Sequence, residues 1–175
     1  LVPVVALRAS GARSSDIGLR RPRRIRPILL LVACMIGVLV GVLSSRNTEL
    51  AGFYPFGRPG LLELARSPLW ILGHGLAYLI FYYIPWELTF RGVLLFPLIP
   101  RRGAGASGVL LAVTPQAIAS TLLHIGHPSI EMAAALPFSL ALGLLAARTG
   151  SILPGLLIHA SAGIALDVAI MVTSL

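Results

Sequence analysis

Five long apolar runs limit what this chain can fold into. Four of the runs are close to the ~20 residues that cross a bilayer as a helix, the run at 68–100 is longer, and the runs do not alternate as barrel strands do. Because lipid offers no hydrogen-bond partners, every run must satisfy its own backbone as an α-helix. The sequence therefore predicts an all-α, polytopic transmembrane helix bundle with about five spans. The predicted spans are 27–44, 68–100, 107–125, 131–147 and 151–173.

Composition supports this class and leaves room for one domain. The 175 residues are 57% hydrophobic and 11% charged, and the mean hydropathy is +0.90. A soluble domain of this length needs a polar surface that six acidic and fourteen basic residues cannot supply. We therefore expect a basic segment at residues 1–27 and a single transmembrane domain at residues 28–175.

All fourteen basic residues are Arg, and half of them precede the first apolar run. Such a segment can bind nucleic acid, but beside a span it more often fixes orientation by staying in the cytoplasm. We expect residues 1–27 to form a disordered cytoplasmic tail that lies against anionic lipid headgroups, with no nucleic-acid partner. Five spans then put Arg101, Arg102 and Arg148 on the same side as the tail. The arginines of the tail are Arg8, Arg13, Arg20, Arg21, Arg23, Arg24 and Arg26.

The first apolar run also has features of a signal peptide, because it follows a basic stretch. Its end, residues 43–45, only weakly resembles a cleavage site, so we interpret the run as a span. Residues 45–67 contain two prolines and several glycines, which predict a loop with an interfacial turn. The single cysteine, Cys34, lies inside the first run and gives no basis for a disulfide.

Ionisable residues inside the predicted spans indicate where function lies. A charged group near the bilayer centre costs about 3 kcal/mol on insertion scales, so its presence needs a reason. Half of the acidic residues and most of the histidines fall in or against spans. They are Glu87, Glu131, Asp167, His74, His124 and His159, with His127 at a span boundary.

Three sets of polar residues occur on three different spans. Glu87 and Arg91 are spaced i,i+4 and can neutralise each other, either within a catalytic site or as a structural pair that orients the helix. A second set ends the next span, and a third lies on nearly one helical stripe, where a glycine leaves space for a water or a substrate backbone. These two sets are His124, His127 and Glu131, and His159, Gly163 and Asp167.

Two mechanisms fit these residue types. A carboxylate base with two imidazoles in a dry cavity can polarise water and hold a tetrahedral oxyanion. The same side chains, His124, His159 and Glu87, can instead bind a divalent metal such as zinc and leave one position open for water. The sequence leaves both mechanisms open.

The three sets resemble the motifs of the CAAX protease and bacteriocin-processing (CPBP, or Abi) intramembrane proteases. The segment from Trp86 through Glu87 and Arg91 to Gly92 is similar to the family's Glu-Glu-x-x-x-Arg motif, and residues 120–124 and 159–163 match the spacing of its second and third motifs. The resemblance covers residues 68–173 and implies a helical CPBP-type core. Its first Glu is replaced here by Trp, the aromatic of the second motif by Ser120, and the Asn of the third motif by Gly163. The chain resembles a divergent branch of the family that reads Trp-Glu-x-x-x-Arg-Gly in the first motif and His-x-Gly-Lys/His-Pro-x-x-Glu in the second, including Glu131 and the later Asp167.

The resemblance implies an endopeptidase that cuts a membrane-associated protein or peptide within a bacterial cytoplasmic membrane. In the family the first Glu of the motif activates the water and the second pairs with the Arg. Here Glu87 is therefore expected either to take over as the base, with Arg91 as its orienting partner, or to belong to a non-catalytic relative. In the catalytic case His124 shares the activation or polarises the carbonyl, and His159 stabilises the oxyanion. Asp167 then stands in for the missing Asn, and Glu131 and His127 support the site near its mouth. The alternative is a non-catalytic membrane scaffold or immunity-type protein of the same fold.

Other classes of membrane protein fit the sequence less well. Residues 105–108 match the Gly-x-Ser-Gly pattern of rhomboid serine proteases, but four-residue matches arise easily by chance. A site-2-type zinc protease needs His-Glu-x-x-His, which the sequence lacks. A transporter is expected to show repeated halves or broken helices, and neither is apparent.

Overall fold

A computed structural model describes residues 9, 11, 13–55, 67–100 and 105–173. Apart from a 3₁₀ turn at Ser14–Ile17, the regular elements in these ranges are helices, and none of the described residues forms a strand. The predicted all-α polytopic class is therefore confirmed. The helices are α1 (Pro27–Ser44), α2 (Thr48–Phe53), α3 (Pro68–Leu98), α4 (Ala106–Leu122), α5 (Ser129–Thr149) and α6 (Leu153–Thr173).

Four of these helices, α1, α3, α5 and α6, are long and apolar enough to cross a membrane. The remaining predicted span corresponds to α4, which is apolar but has 17 residues and so lies at the short end of the spanning range. The loop predicted at residues 45–67 contains the short helix α2, and its residues 56–66 lie outside the described residues. Arg8, Arg101 and Arg102 lie outside them as well.

Helix α3 departs from regular α-helical geometry on both sides of Pro85. The backbone is π-helical at Leu79–Tyr83 and again at Leu88–Leu95. Pro85 has no N–H to donate to the carbonyl one turn earlier, so the regular ladder of hydrogen bonds cannot continue through it. Widened turns of this kind are often found at functional sites. Here Glu87 lies between the two widened segments, and Arg91 lies within the second.

The boundaries of α5 follow from its flanking residues. Pro128 precedes the helix at the N-cap position, and Arg148 lies in its last turn, where a cation is favourable. The helix ends at Gly150, whose φ of 65° is the left-handed conformation that glycine adopts without strain. This turn leads within three residues into α6, so the connection is short.

The chain divides into two compact units. The first contains residues Leu1–Ile25 and Pro85–Leu156, and the second contains Arg26–Ile84 and Leu157–Leu175. In the first unit α4 packs along α5 over a fully buried apolar core that includes Leu95, Val113 and Ala146. A Cβ at Gly143 of α5 would come within 2.6 Å of Val113, so the glycine allows the two helices to approach closely.

The basic N-terminal segment, which the composition predicts to be disordered, has contacts in the first unit. Ile17 is buried, and the carbonyl of Gly18 accepts a hydrogen bond of 3.1 Å from the backbone N–H of Ile152. The Nε of Arg20 donates to the carbonyl of Gly150 at 2.6 Å. Carbonyls at a helix C-terminus lack partners within the helix, so this segment satisfies the end of α5.

In the second unit, small residues bring α1 against α6. Gly37 and Gly41 are buried residues of a helix that is otherwise largely exposed, as a lipid-facing helix must be. A Cβ at Gly41 would overlap the carbonyl oxygen of Ala162, so no larger residue fits there without a backbone shift. This close approach of backbones is the usual way in which helices associate in membranes.

Candidate active site

Glu87 and Arg91 of α3 form a buried ion pair, as their i,i+4 spacing predicts. The Oε1 of Glu87 lies 3.3 Å from the Nη1 of Arg91, and their side chains are 0% and 1% exposed. Arg91 also donates through Nη2 to the Oγ of Ser139 at 3.1 Å, and Gln116 donates to the carbonyl of Ser139 at 3.2 Å. The pair is thereby tied to α4 and α5. This arrangement fixes the orientation of α3 in the first unit.

A second cluster forms where α4 ends and α5 begins. The Oε1 of Glu131 lies 3.1 Å from the Nδ1 of His127 and 3.7 Å from the Nε2 of His124. The three side chains are partly exposed, at 22% for Glu131, 19% for His127 and 13% for His124. One carboxylate therefore faces two imidazoles at a partly exposed position.

Hydrogen bonding identifies the proton positions on His124. Its Nδ1 lies 2.8 Å from the carbonyl oxygen of Ser120, which can only accept, so Nδ1 carries the proton. In the neutral imidazole the Nε2 is then an acceptor, and it is the atom that faces Glu131. The Nδ1 of His127 donates to Glu131, because an ionised carboxylate has no proton to give.

Trp86 forms one wall of this second cluster. Its ring centroid lies 5.5 Å from that of His124, in an edge-to-face arrangement, and 4.7 Å from that of Phe90. Such aromatic contacts fix ring orientation and exclude water from one face of the imidazole. The residue that replaces the first Glu of the family motif therefore packs directly against His124.

The other residues predicted for the site belong to the second unit. His159 lies edge-on to Tyr83 with ring centroids 5.0 Å apart, and a Cβ at Gly163 would overlap the hydroxyl of Tyr83. The space beside His159 that the sequence reserves for a water or a substrate backbone therefore contains the Tyr83 hydroxyl.

Asp167 pairs with His74, which the sequence analysis did not include in the site. The Nε2 of His74 lies 2.9 Å from the Oδ2 of Asp167, and both side chains are buried. The two residues are 93 positions apart, so no local pattern links them. The only available signal was the costly placement of both residues in apolar spans.

A metal site needs several donor side chains that converge on one point. No group of three or more His, Cys, Asp or Glu side chains that could hold an ion occurs among the described residues. The Oε1 of Glu131 lies near the Nδ1 of His127 and the Nε2 of His124, so these three side chains interact with one another. The zinc alternative stays a prediction of the sequence.

These observations define the class of the protein: a polytopic, all-α integral membrane protein with carboxylate and imidazole groups in its helix bundle. A family model described as "Type II CAAX prenyl endopeptidase Rce1-like" matches residues 68–165, which is more than half of the chain. The chain therefore belongs to the Rce1-like family of CAAX-type intramembrane proteases, and the resemblance seen in the sequence is confirmed. No curated protein and no solved structure matches the chain.

Proposed function

We propose that this protein is an intramembrane endopeptidase that hydrolyses a peptide bond of a membrane-associated protein or peptide. The observation that carries the proposal is the cluster of Glu131, His124 and His127, which combines a carboxylate with two imidazoles at a partly exposed position. Side chains of these types act as general acids and bases in hydrolysis.

The mechanism uses water as the nucleophile. A carboxylate removes a proton from the water, His124 orients it, and the resulting hydroxide attacks the carbonyl carbon. For His159 the family resemblance supports stabilisation of the oxyanion, and this role stays a prediction from the motif. Glu87 is the water-activating carboxylate that the sequence predicts. Its complete burial against Arg91 favours instead a structural role for the pair.

The family description supports a proposal for the substrate class. Its description names a prenyl endopeptidase of the CAAX type, and such substrates carry a prenylated cysteine followed by three residues at the C-terminus. A prenyl chain inserts into the bilayer and holds the scissile bond near the membrane surface. We propose that a lipid-anchored peptide of this kind is the substrate.

The proposed orientation has the N-terminus in the cytoplasm of a bacterial cell. Arg24 and Arg26 precede α1, and Arg148 lies in the last turn of α5. Positive charges at these positions favour the cytoplasmic side. Labelling of a cysteine introduced at Arg13 in intact cells tests this. A membrane-impermeant reagent that labels it from outside contradicts the orientation.

A reconstituted cleavage assay tests the function. The purified full chain is placed in liposomes with an internally quenched peptide that ends in a farnesylated Cys-a-a-X sequence, and mass spectrometry identifies the cut bond. We expect His124→Gln to lower kcat by about 10²- to 10⁴-fold, because it removes the imidazole that orients the water. The matched control is Arg46→Gln, an exposed residue between α1 and α2 that we expect to be silent.

The competing function is a non-catalytic scaffold or immunity-type protein of the same fold. The presence of Trp86 where the family has its first Glu favours this alternative. Binding of the farnesylated peptide without cleavage, by both the unsubstituted protein and His124→Gln, supports the scaffold. Cleavage that survives in His124→Gln at an unchanged rate shows that the proposed site is wrong.

A further inference from the structure

We propose that Glu131, and not Glu87, is the carboxylate that activates the water in this protein. The inference rests on the proposed function and assigns its central catalytic residue. A general base must contact the water from which it takes a proton. The side chain of Glu131 is 22% exposed, whereas that of Glu87 is 0% exposed and faces a guanidinium.

Burial and charge give Glu87 a different task. Its Oε1 neutralises Arg91 at 3.3 Å, and a Cβ at Gly155 would lie 3.4 Å from its Oε2, so the start of α6 covers the other side of the carboxylate. Protonating Glu87 during a reaction would leave the charge of Arg91 buried without compensation. A base that must gain and lose a proton in each turnover is poorly suited to this position.

Two acceptor atoms of the second cluster, the Nε2 of His124 and the Oε1 of Glu131, are close enough to bind one water between them. His124 carries its proton on Nδ1, because that atom faces the carbonyl of Ser120, so the neutral ring presents a bare Nε2. This Nε2 lies 3.7 Å from the Oε1 of Glu131. Two acceptors at that separation cannot bond to each other, but both can accept from one water at about 2.8 Å from each.

The neighbours of this water position have separate tasks. His127 donates to Glu131 at 3.1 Å and so holds the carboxylate in place. Trp86 packs edge-to-face against His124 and shields that side of the imidazole from water. At the position of the first Glu of the family motif, this chain has the indole of Trp86 on α3. The carboxylate nearest to His124, that of Glu131, lies on α5. The proposed catalytic carboxylate is therefore on a different helix from that of the family motif, and it still lies beside His124.

The reaction balances with these groups alone. Glu131 takes one proton from the water as the oxygen forms a bond to the carbonyl carbon. The C–N bond then breaks, and the proton passes from Glu131 to the departing nitrogen. The products are an amine and a carboxylic acid, and Glu131 returns to its ionised state.

Kinetics of three variants test the assignment, with the farnesylated peptide as the probe. We expect Glu131→Gln to lower kcat by about 10²- to 10⁴-fold with KM changed by less than about threefold, because Gln keeps the shape and removes the base. In Glu131→Ala, added formate should restore part of the activity, because a small carboxylate can enter the vacated space. We expect Glu87→Gln to keep kcat within about tenfold per folded molecule, although it lowers the melting temperature.

The outcomes separate the two proposals. If the unsubstituted protein cleaves the peptide and Glu131→Gln retains full kcat, the role of Glu131 is overturned and the peptidase function stands. Loss of activity in a folded Glu87→Gln, combined with no rescue of Glu131→Ala by formate, assigns the base to Glu87 instead. If the unsubstituted protein cleaves neither this peptide nor a quenched transmembrane-peptide library, both proposals fall together.

Discussion

Replacing Glu87 by Gln leaves the side chain of Arg91 charged, 1% exposed, and with Ser139 as its only hydrogen-bond partner among the described residues. The charges of the pair lie 3.3 Å apart, which corresponds to about 5 kcal/mol at an effective dielectric constant of about 20. Measured losses on removing one partner of a buried pair are about 3–5 kcal/mol. We therefore expect Glu87→Gln to lower the free energy of unfolding by about 3–5 kcal/mol.

A double-mutant cycle isolates the ion pair from changes in packing. Arg91→Met in the Glu87→Gln background removes the stranded charge, so the double variant should be at least about 2 kcal/mol more stable than the sum of the single losses predicts. The assay is unfolding by sodium dodecyl sulfate in mixed micelles, followed by tryptophan fluorescence. Arg46→Gln, at an exposed residue between α1 and α2, is the control and should change stability by less than about 0.5 kcal/mol.

Two results refute this reasoning. A loss below about 1 kcal/mol in Glu87→Gln shows that water or a neighbouring group neutralises Arg91 without the carboxylate. Additive losses in the double variant show that the two side chains act independently and that the pair does not fix α3.

Three further predictions concern packing, the N-terminal segment and metal dependence. Gly41→Ala should destabilise the protein by about 1–3 kcal/mol, because its Cβ would overlap the carbonyl of Ala162. Gly52→Ala is the control, since its Cβ would meet nothing within 4 Å and stability should not fall. Unfolding in mixed micelles measures both variants. Arg20→Met should cost about 1.5–3 kcal/mol in the same assay, because Gly150 loses a charged donor. Treatment with a strong chelator should leave the cleavage rate unchanged, because the proposed water is held by His124 and Glu131; a loss that zinc restores contradicts this.

The helices could be predicted because each is encoded by a continuous run of apolar residues. The predicted first span is α1, Pro27–Ser44, with the same bounds, since lipid requires both apolar side chains and a closed backbone ladder. The pair of Glu87 with Arg91 was equally accessible, because i,i+4 neighbours on a helix lie on the same face.

Contacts between distant parts of the chain could not be predicted in this way. The pair of His74 and Asp167 joins residues 93 positions apart, and Arg20 reaches Gly150 across 130 positions. Periodicity describes which face of a helix is polar, but it carries no information on which other helix supplies the partner. The basic N-terminal segment illustrates the consequence, since its composition indicates disorder while its contacts satisfy the end of α5.

The substitution at Trp86 is the point where motif and structure lead to different conclusions. Read as a motif, an indole in place of the first family Glu indicates a lost catalyst. In the structure that indole packs on His124, and the imidazole in turn faces the carboxylate of Glu131. A base is defined by what it can reach and not by its position in the sequence. Among relatives with Trp at the position of Trp86, those with an acidic residue at the position of Glu131 should therefore be active. Those without it should be non-catalytic.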